Sequence, residues 1–123
     1  MSTLSVSNIT DGTTTVGTSY VVNGSAKAWV NFNGQGTIAA RDSFNHSSLV
    51  DDGTGAYKAY FSTVFASTGY SISGSIRYNS GVANDGVFTV FDQLAGYAHV
   101  LSVYGGTLFD SNRISITAHG DLA

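Results

Sequence analysis

The stretch Ala26–Gly34, Ala-Lys-Ala-Trp-Val-Asn-Phe-Asn-Gly, decides the fold predicted for this chain. Its apolar side chains recur at every second position from Ala26 to Phe32, and the intervening positions are mixed. A period of two indicates a β-strand with one apolar face. The following Asn33–Gly36 predicts a hairpin turn, because Asn and Gly tolerate the positive φ that such turns need.

Trp29, the single Trp of the chain, falls on the mixed face of this strand. A large aromatic side chain is usually mostly buried, and its indole N–H needs an acceptor. We therefore expect Trp29 to be covered within the domain or at a subunit interface, rather than to form a free platform for a ligand. Lys27 and Asn31 beside it are expected to make polar contacts.

The rest of the sequence predicts an all-β fold in one domain. Val, Ile, Thr, Tyr and Phe are plentiful, and short alternating segments recur between turn signals such as Asp51–Gly55. We expect a small antiparallel β-sandwich or barrel-like domain of about eight to nine short strands. It divides into residues 1–25, an N-terminal strand or strap, residues 26–78, a core module, and residues 79–123, the C-terminal strands.

Several of the strands are predicted individually. Gly74 inside an apolar pattern indicates a bulge or a close backbone approach, and Ile114, Ile116 and Ala118 are expected to point inward. Asp92–Gly96 is expected to be a turn or a single helical turn. The predicted strands include Leu4–Ile9, Thr18–Val22 (a strand or a strap), Ala56–Thr63, Tyr70–Tyr78, Val87–Phe91, Tyr97–Tyr104 and Arg113–His119.

Charge and hydropathy exclude two classes of partner. Five scattered Lys and Arg stand against eight Asp, and the net charge is −3. Nucleic-acid binding is excluded, since its affinity comes largely from phosphate neutralisation by a basic surface. Membrane insertion is excluded because no run approaches about 18 apolar residues. A neutral, polar surface suits packing against other copies or a sugar-like partner.

The sequence predicts no catalytic, metal or cofactor site. Asp51 and Asp52 are adjacent on an extended chain and point apart, so they predict a turn rather than an acid–base pair. Calcium binding at Asp51, Asp52 or Asn84–Gly86 is only weakly indicated, because the spaced ligands of an EF-hand loop are absent. His46, His99 and His119 lie in different predicted strands without zinc-ligand spacing. If the protein is a trimer and His119 lies on the threefold axis, three copies of His119 would come together.

The aromatic residues divide into two groups. Phe side chains are expected to fill the core, whereas Tyr, with one polar end, favours edges and interfaces. Stacking of some of them on sugar rings is an open alternative. The core candidates are Phe32, Phe61, Phe88 and Phe91. The edge or interface candidates are Trp29, Tyr20, Tyr57, Tyr60, Tyr97 and Tyr104.

Three blocks resemble a module of tailed-bacteriophage virion proteins, especially those of marine phages. They are Ala26–Gly34, Ser43–Ser48 (Ser-Phe-Asn-His-Ser-Ser) and Asp51–Tyr57 (Asp-Asp-Gly-Thr-Gly-Ala-Tyr). The similar segment, Ala26–Tyr70, is over a third of the chain. The resemblance implies a β-rich module that ends longer tail or tail-fibre proteins and assembles as a homotrimer.

The resemblance also implies a function. We expect a non-catalytic structural protein exposed on the virion, made in the host bacterial cytoplasm and bound to other virion proteins. Since no stalk precedes the module, it is expected to be a short fibre that docks directly or a capsid decoration. Host-receptor or carbohydrate binding through Trp29 and surface Tyr residues is the alternative. A small hydrolase is least favoured, because no paired carboxylates or nucleophile setting are present.

Overall fold

The computed structural model describes residues 1–77 and 86–123, and this part of the chain is built mostly of antiparallel strands. The all-β prediction is therefore confirmed. Eleven strands form in the described residues, more than the eight or nine expected, because two- and three-residue pairings also occur. They are β1 (Asn8–Thr10), β2 (Thr15–Gly17), β3 (Ala28–Asn33), β4 (Ala39–Phe44), β5 (His46–Asp51), β6 (Ala56–Phe61), β7 (Ser71–Arg77), β8 (Val87–Leu94), β9 (Tyr97–Tyr104), β10 (Thr107–Leu108) and β11 (Arg113–His119); helix α1 is Thr18–Gly24.

Two sheets form a sandwich. The four-stranded sheet, here called the Trp29 sheet, has the order β4-β3-β11-β7. The five-stranded sheet, here called the His99 sheet, has the order β8-β9-β6-β5, with β10 paired to the end of β9. The chain passes from one sheet to the other between β4 and β5 at Asn45, whose φ is 51°. Each sheet therefore has an inner face in the core and an outer face away from it.

The core lies between the two inner faces. In β3, Ala28, Val30 and Phe32 are buried, so the alternation predicted for Ala26–Gly34 is confirmed. The predicted inward positions of β11 are also confirmed, since Ile114, Ile116 and Ala118 are buried and pair with β3. Each fully buried apolar side chain of this size stabilises a fold by about 1.5–3 kcal/mol. The residues that meet them from the His99 sheet are Tyr57, Ala59, Phe61, Ala98 and Val100.

Glycine predictions are confirmed at two places. Gly34 to Gly36 form the turn between β3 and β4, where Gly36 has a φ of +61°. Gly74 lies opposite Ile116, and a Cβ there would come within 2.5 Å of the Phe88 ring. The expected close approach at Gly74 is thus made by a side chain of the facing sheet.

Segment Thr18–Val22 is helical, so the strand or strap predicted there is wrong. The β-branched residues suggested a strand, but β1 and β2 pair with each other in a separate two-stranded sheet. The segment instead begins a helix that is tied to the preceding chain, since the Thr18 N–H donates to the Ser7 carbonyl at 2.9 Å. Local anchoring here outweighs intrinsic propensity.

Two other predicted segments differ in extent. The first strand begins at Asn8 rather than Leu4. Strand β8 continues through Asp92 to Leu94, so the predicted turn shortens to Ala95 and Gly96. Tyr78, the predicted end of β7, and residues 79–85 lie outside the described residues.

Candidate functional site

The outer face of the His99 sheet is an apolar surface. Strand alternation and the β6–β9–β8 registers place every second residue on this side. Phe91 is 67% exposed and Val87 is 54% exposed, and the central strand adds half-buried apolar positions. The apolar members of this face are Val50, Tyr60, Val87, Phe91, Leu94, Tyr97, Leu101 and Val103.

A compact polar cluster lies in the middle of this face. Lys58 Nζ is 3.0 Å from Asp52 Oδ2, and His99 Nε2 is 3.4 Å from the same oxygen. The hydrogen bond to Asp52 raises the pKa of Lys58. The edge of the Phe91 ring covers His99, with the ring centroids 5.0 Å apart. Lys58 is thus neutralised by Asp52, and the face can be desolvated without leaving this cation unpaired.

Phe91 was predicted to fill the core, and that prediction is wrong. Phe88 and Phe91 are three residues apart, and an odd separation places two residues on opposite faces of a strand. Phe88 packs against the core, whereas Phe91 lies on the outer face. The register shift between Val90 and Asp92 then keeps Asp92 on the same outer side as Phe91.

Tyr57 was predicted at an edge or interface, and this is also wrong. Its side chain is fully buried and meets Phe32 edge-on at 5.3 Å between ring centroids. Its polar end is satisfied inside the protein, because Oη lies 3.0 Å from both the Gly34 carbonyl and Asp110 Oδ1. Burial, with the hydrogen bond to Asp110, raises the pKa of the phenol strongly.

The remaining Tyr candidates are accessible to different degrees. Tyr60 and Tyr97 are half-buried neighbours on the outer face of the His99 sheet, with ring centroids 5.0 Å apart. Tyr104 is 41% exposed at the end of β9, and Tyr20 is exposed on α1. Their roles at an interface stay predictions.

The outer face of the Trp29 sheet carries aromatic and polar side chains side by side. Trp29 is 36% exposed and lies opposite Phe44 of β4 in the strand register. The polar contacts expected beside it are present: Asn31 Nδ2 donates to Ser115 Oγ at 2.6 Å, and Lys27 Nζ donates to the Val22 and Ser25 carbonyls. Trp29 is therefore not fully covered within its own domain, and a cover at a subunit interface stays a prediction.

Asp51 stabilises a turn, and Asp52 forms an ion pair. Asp51 Oδ1 accepts a hydrogen bond from the Gly53 N–H at 3.0 Å, while Asp52 pairs with Lys58. No group of three or more His, Cys, Asp or Glu that would hold a metal ion forms in the described ranges. Asn84 and Asp85 of the other calcium candidate lie outside those ranges.

Asp110 is a site residue that the sequence analysis missed. Its Oδ1 accepts from the Gly55 N–H at 2.8 Å and from the Tyr57 hydroxyl, and its carbonyl accepts from Gln35 Nε2 at 3.0 Å. It therefore links three loops at one end of the sandwich. No local pattern marks such a residue, because its partners are distant in sequence.

His46 lies in a small apolar space between the sheets. Burial lowers its pKa, although a backbone hydrogen bond to Ser48 acts in the opposite direction. Its Nε2 has no hydrogen-bond partner among the described residues. The space is lined by Ala28, Trp29, Val30, Ala59, Phe61 and Ile116.

His46 should make stability depend on pH. An unfolded His takes up a proton near pH 6.5, whereas folded His46 does so only at lower pH, so stability falls as pH drops below about 6.5. In urea unfolding between pH 7.5 and 5.5, His46→Gln should reduce this loss and the control His119→Gln should keep it. An unchanged loss in His46→Gln would contradict the assignment.

These features define the class of protein as an antiparallel β-sandwich with an apolar outer sheet face. Known proteins do not narrow the class further, since no protein family, curated protein or solved structure matches the chain. No helix among residues 1–77 and 86–123 is long and apolar enough to cross a membrane. The function must therefore be inferred from the two outer faces.

Proposed function

We propose that this chain is a non-catalytic structural protein on the surface of a tailed-bacteriophage virion, where it assembles as a homotrimer. It serves as a tail or fibre component or as a capsid decoration. The observation that carries the proposal is the apolar outer face of the His99 sheet. The three sequence blocks that resemble phage modules supply the virion context.

The apolar face favours assembly for a physical reason. Monomeric proteins rarely expose large contiguous apolar patches, and those that exist usually mark contact sites. Permanent interfaces are more apolar than other surfaces and are depleted of free charges at their centre. The Phe91 side chain and the Lys58–Asp52 pair match that composition, whereas Asp92 adds an exposed carboxylate to the same face.

Light scattering on the purified protein at micromolar concentration tests the assembly. A mass three times that of the 12.8 kDa chain is expected. Phe91→Ser should lower the mass because it removes the most exposed aromatic side chain of the face. A wild-type monomer would contradict the oligomeric part of the proposal.

Electron microscopy of gold-labelled virions tests the location. Label on the tail would identify a tail or fibre component, and label on the head a capsid decoration. Virions that carry no label, from cells that express the protein, would contradict the virion assignment.

Binding of a neutral host-surface glycan is the second candidate, and the outer face of the Trp29 sheet favours it. Trp29 and Phe44 are adjacent across the β3–β4 pairing and partly exposed. Aromatic faces stack on the C–H faces of sugars. The row of Asn31, Asp42 and Ser115 beside them supplies groups that bind hydroxyls.

A glycan array with two matched variants tests this candidate. Phe44→Ala should weaken binding at least tenfold while the urea midpoint stays close to that of the wild type, since Phe44 is 56% exposed. Phe91→Ala, on the opposite face, should bind normally. Trp29→Ala is interpretable only with an unfolding control, because most of its indole is covered. No binding by the wild type to any neutral glycan would contradict the candidate.

A further inference from the structure

Residues 1–24, here called the arm, are ordered but contribute nothing to the core. None of them is buried. Leu4 is 84% exposed, Val22 is 60% exposed and Ile9 is 46% exposed. These apolar side chains are grouped rather than scattered: Leu4, Val6, Ile9, Val21 and Val22 line one shallow groove.

The arm lacks the means to hold this shape by itself. Its hairpin consists of two three-residue strands, and a two-stranded hairpin is marginally stable in water. Helix α1 has seven residues, no side-chain cap and no acidic residue in its first turn, so it is also marginal. An arm of this composition needs an apolar cover to stay folded.

The arm is almost free of charge. Asp11 is the single charged side chain between residues 1 and 26. Its carboxylate already accepts hydrogen bonds from the Thr13 and Thr14 N–H groups at 2.9 and 2.7 Å, which lower its pKa. Covering the arm would therefore bury no ionised side chain that lacks hydrogen-bond partners.

The outer face of the His99 sheet has the matching properties. It is mostly apolar, with Val87 and Phe91 exposed, and its Lys58 is paired with Asp52, while Asp92 is an exposed carboxylate on the same face. The arm of the same chain is held elsewhere: it joins the Trp29 sheet at Lys27, whose Nζ binds the Val22 carbonyl, and Asn23 borders a cleft with Tyr70 and Asp121. One chain thus carries two uncovered apolar surfaces that do not meet each other.

We propose that the arm of one copy docks on the outer face of the His99 sheet of a neighbouring copy. A standard interface takes roughly 20–30 contact residues from each partner, so an arm of 24 residues would have to contact the face along most of its length. The contact is heterologous, since different surfaces meet, and heterologous contacts close into rings when the rotation allows it. The inference rests on the homo-oligomer of the proposed function and names the surfaces that build it.

Charge variants of the full-length protein test each surface. Val22→Asp places a carboxylate in the arm groove, and Phe91→Asp places one on the sheet face. Each should reduce the mass measured by light scattering to that of a monomer at micromolar concentration. Phe44→Asp, at an aromatic position of the other sheet that is 56% exposed against 67% for Phe91, should leave the oligomer intact. Far-UV circular dichroism and urea unfolding check that all three variants fold, and these side chains lie outside the core.

Mixing the two monomeric variants tests the heterologous geometry. The Phe91→Asp chain keeps an intact arm and the Val22→Asp chain keeps an intact sheet face. An equimolar mixture should therefore form a 1:1 dimer with one good contact. A mixture that stays monomeric would overturn the proposal, because an intact arm and an intact sheet face would then be present together without binding.

Two further outcomes also overturn the inference, and they separate it from the proposed function. If the wild type is an oligomer and Val22→Asp leaves its mass unchanged, the arm is not part of the contact although the assembly stands. If the wild type itself is a monomer, the arm contact and the oligomeric part of the proposed function both fail.

Discussion

Replacing Tyr57 with Ala is expected to destabilise the protein by about 3–5 kcal/mol, as for other fully buried aromatic side chains. The ring fills the space against Phe32, and its hydroxyl is the donor that reaches the Gly34 carbonyl and Asp110. The variant therefore leaves a cavity and removes the hydroxyl donor of the Gly34 carbonyl, whereas Asp110 keeps its hydrogen bond from the Gly55 N–H. Urea unfolding at pH 7.5 measures the loss.

Tyr57→Phe separates the ring from the hydroxyl. It keeps the packing and removes one hydrogen bond to a carboxylate, so we expect a loss of about 1.5–3 kcal/mol. Tyr20→Phe is the control, since Tyr20 is 74% exposed and its change should stay within about 0.5 kcal/mol. Equal losses in the two Phe variants would contradict the hydrogen bonds assigned to the Tyr57 hydroxyl.

The strands and their inward faces could be predicted because they depend on local alternation. In β3 and β11 the pattern of apolar residues is regular, and both strands lie where the sequence placed them. The same rule, applied to Phe88 and Phe91, would have separated them onto opposite faces. Residue type alone assigned Phe91 to the core, and residue type alone assigned Tyr57 to an edge.

The contacts between distant segments could not be predicted in this way. Asp110 is tied to Gly55 and Tyr57, more than 50 positions away in the sequence. Whether a Tyr lies inside or outside depends on such a partner for its hydroxyl. Helix α1 was missed for the same reason, since its start is fixed by carbonyls of residues 6 and 7.

The exposed surfaces follow from topology rather than from local pattern. Strand β9 is apolar on both sides, so its sequence does not say which face meets the Trp29 sheet. Pairing with β6 settles the question, because Tyr57 and Ala59 are opposite Val100 and Ala98. Leu101 and Val103 therefore lie on the outer face. The candidate interface can be identified only once this strand pairing is known.

Gly55→Ala is expected to be the most damaging Gly→Ala change among the positive-φ glycines of the described turns. Gly55 has a φ of +66°, and an added Cβ would lie 2.7 Å from the backbone N and O of Phe109 and 2.8 Å from the Ser102 carbonyl. Backbone atoms on two sides cannot swing away as a flexible side chain would. Adding left-handed strain of about 1–2 kcal/mol to overpacking of about 1–3 kcal/mol predicts a loss of about 3 kcal/mol.

Gly36→Ala provides the matched control for this prediction. Its φ of +61° is nearly the same, but nothing lies within 4 Å of an added Cβ, so only the backbone strain of about 1–2 kcal/mol applies. The difference between the two urea midpoints isolates the steric clash.

The Gly55 turn also carries Asp52, which neutralises Lys58 on the outer face of the His99 sheet. Gly55→Ala should therefore weaken assembly in light scattering as well as folding, whereas Gly36→Ala should leave the mass unchanged. Equal midpoints for the two variants would contradict the close approach of Gly55 to Ser102 and Phe109.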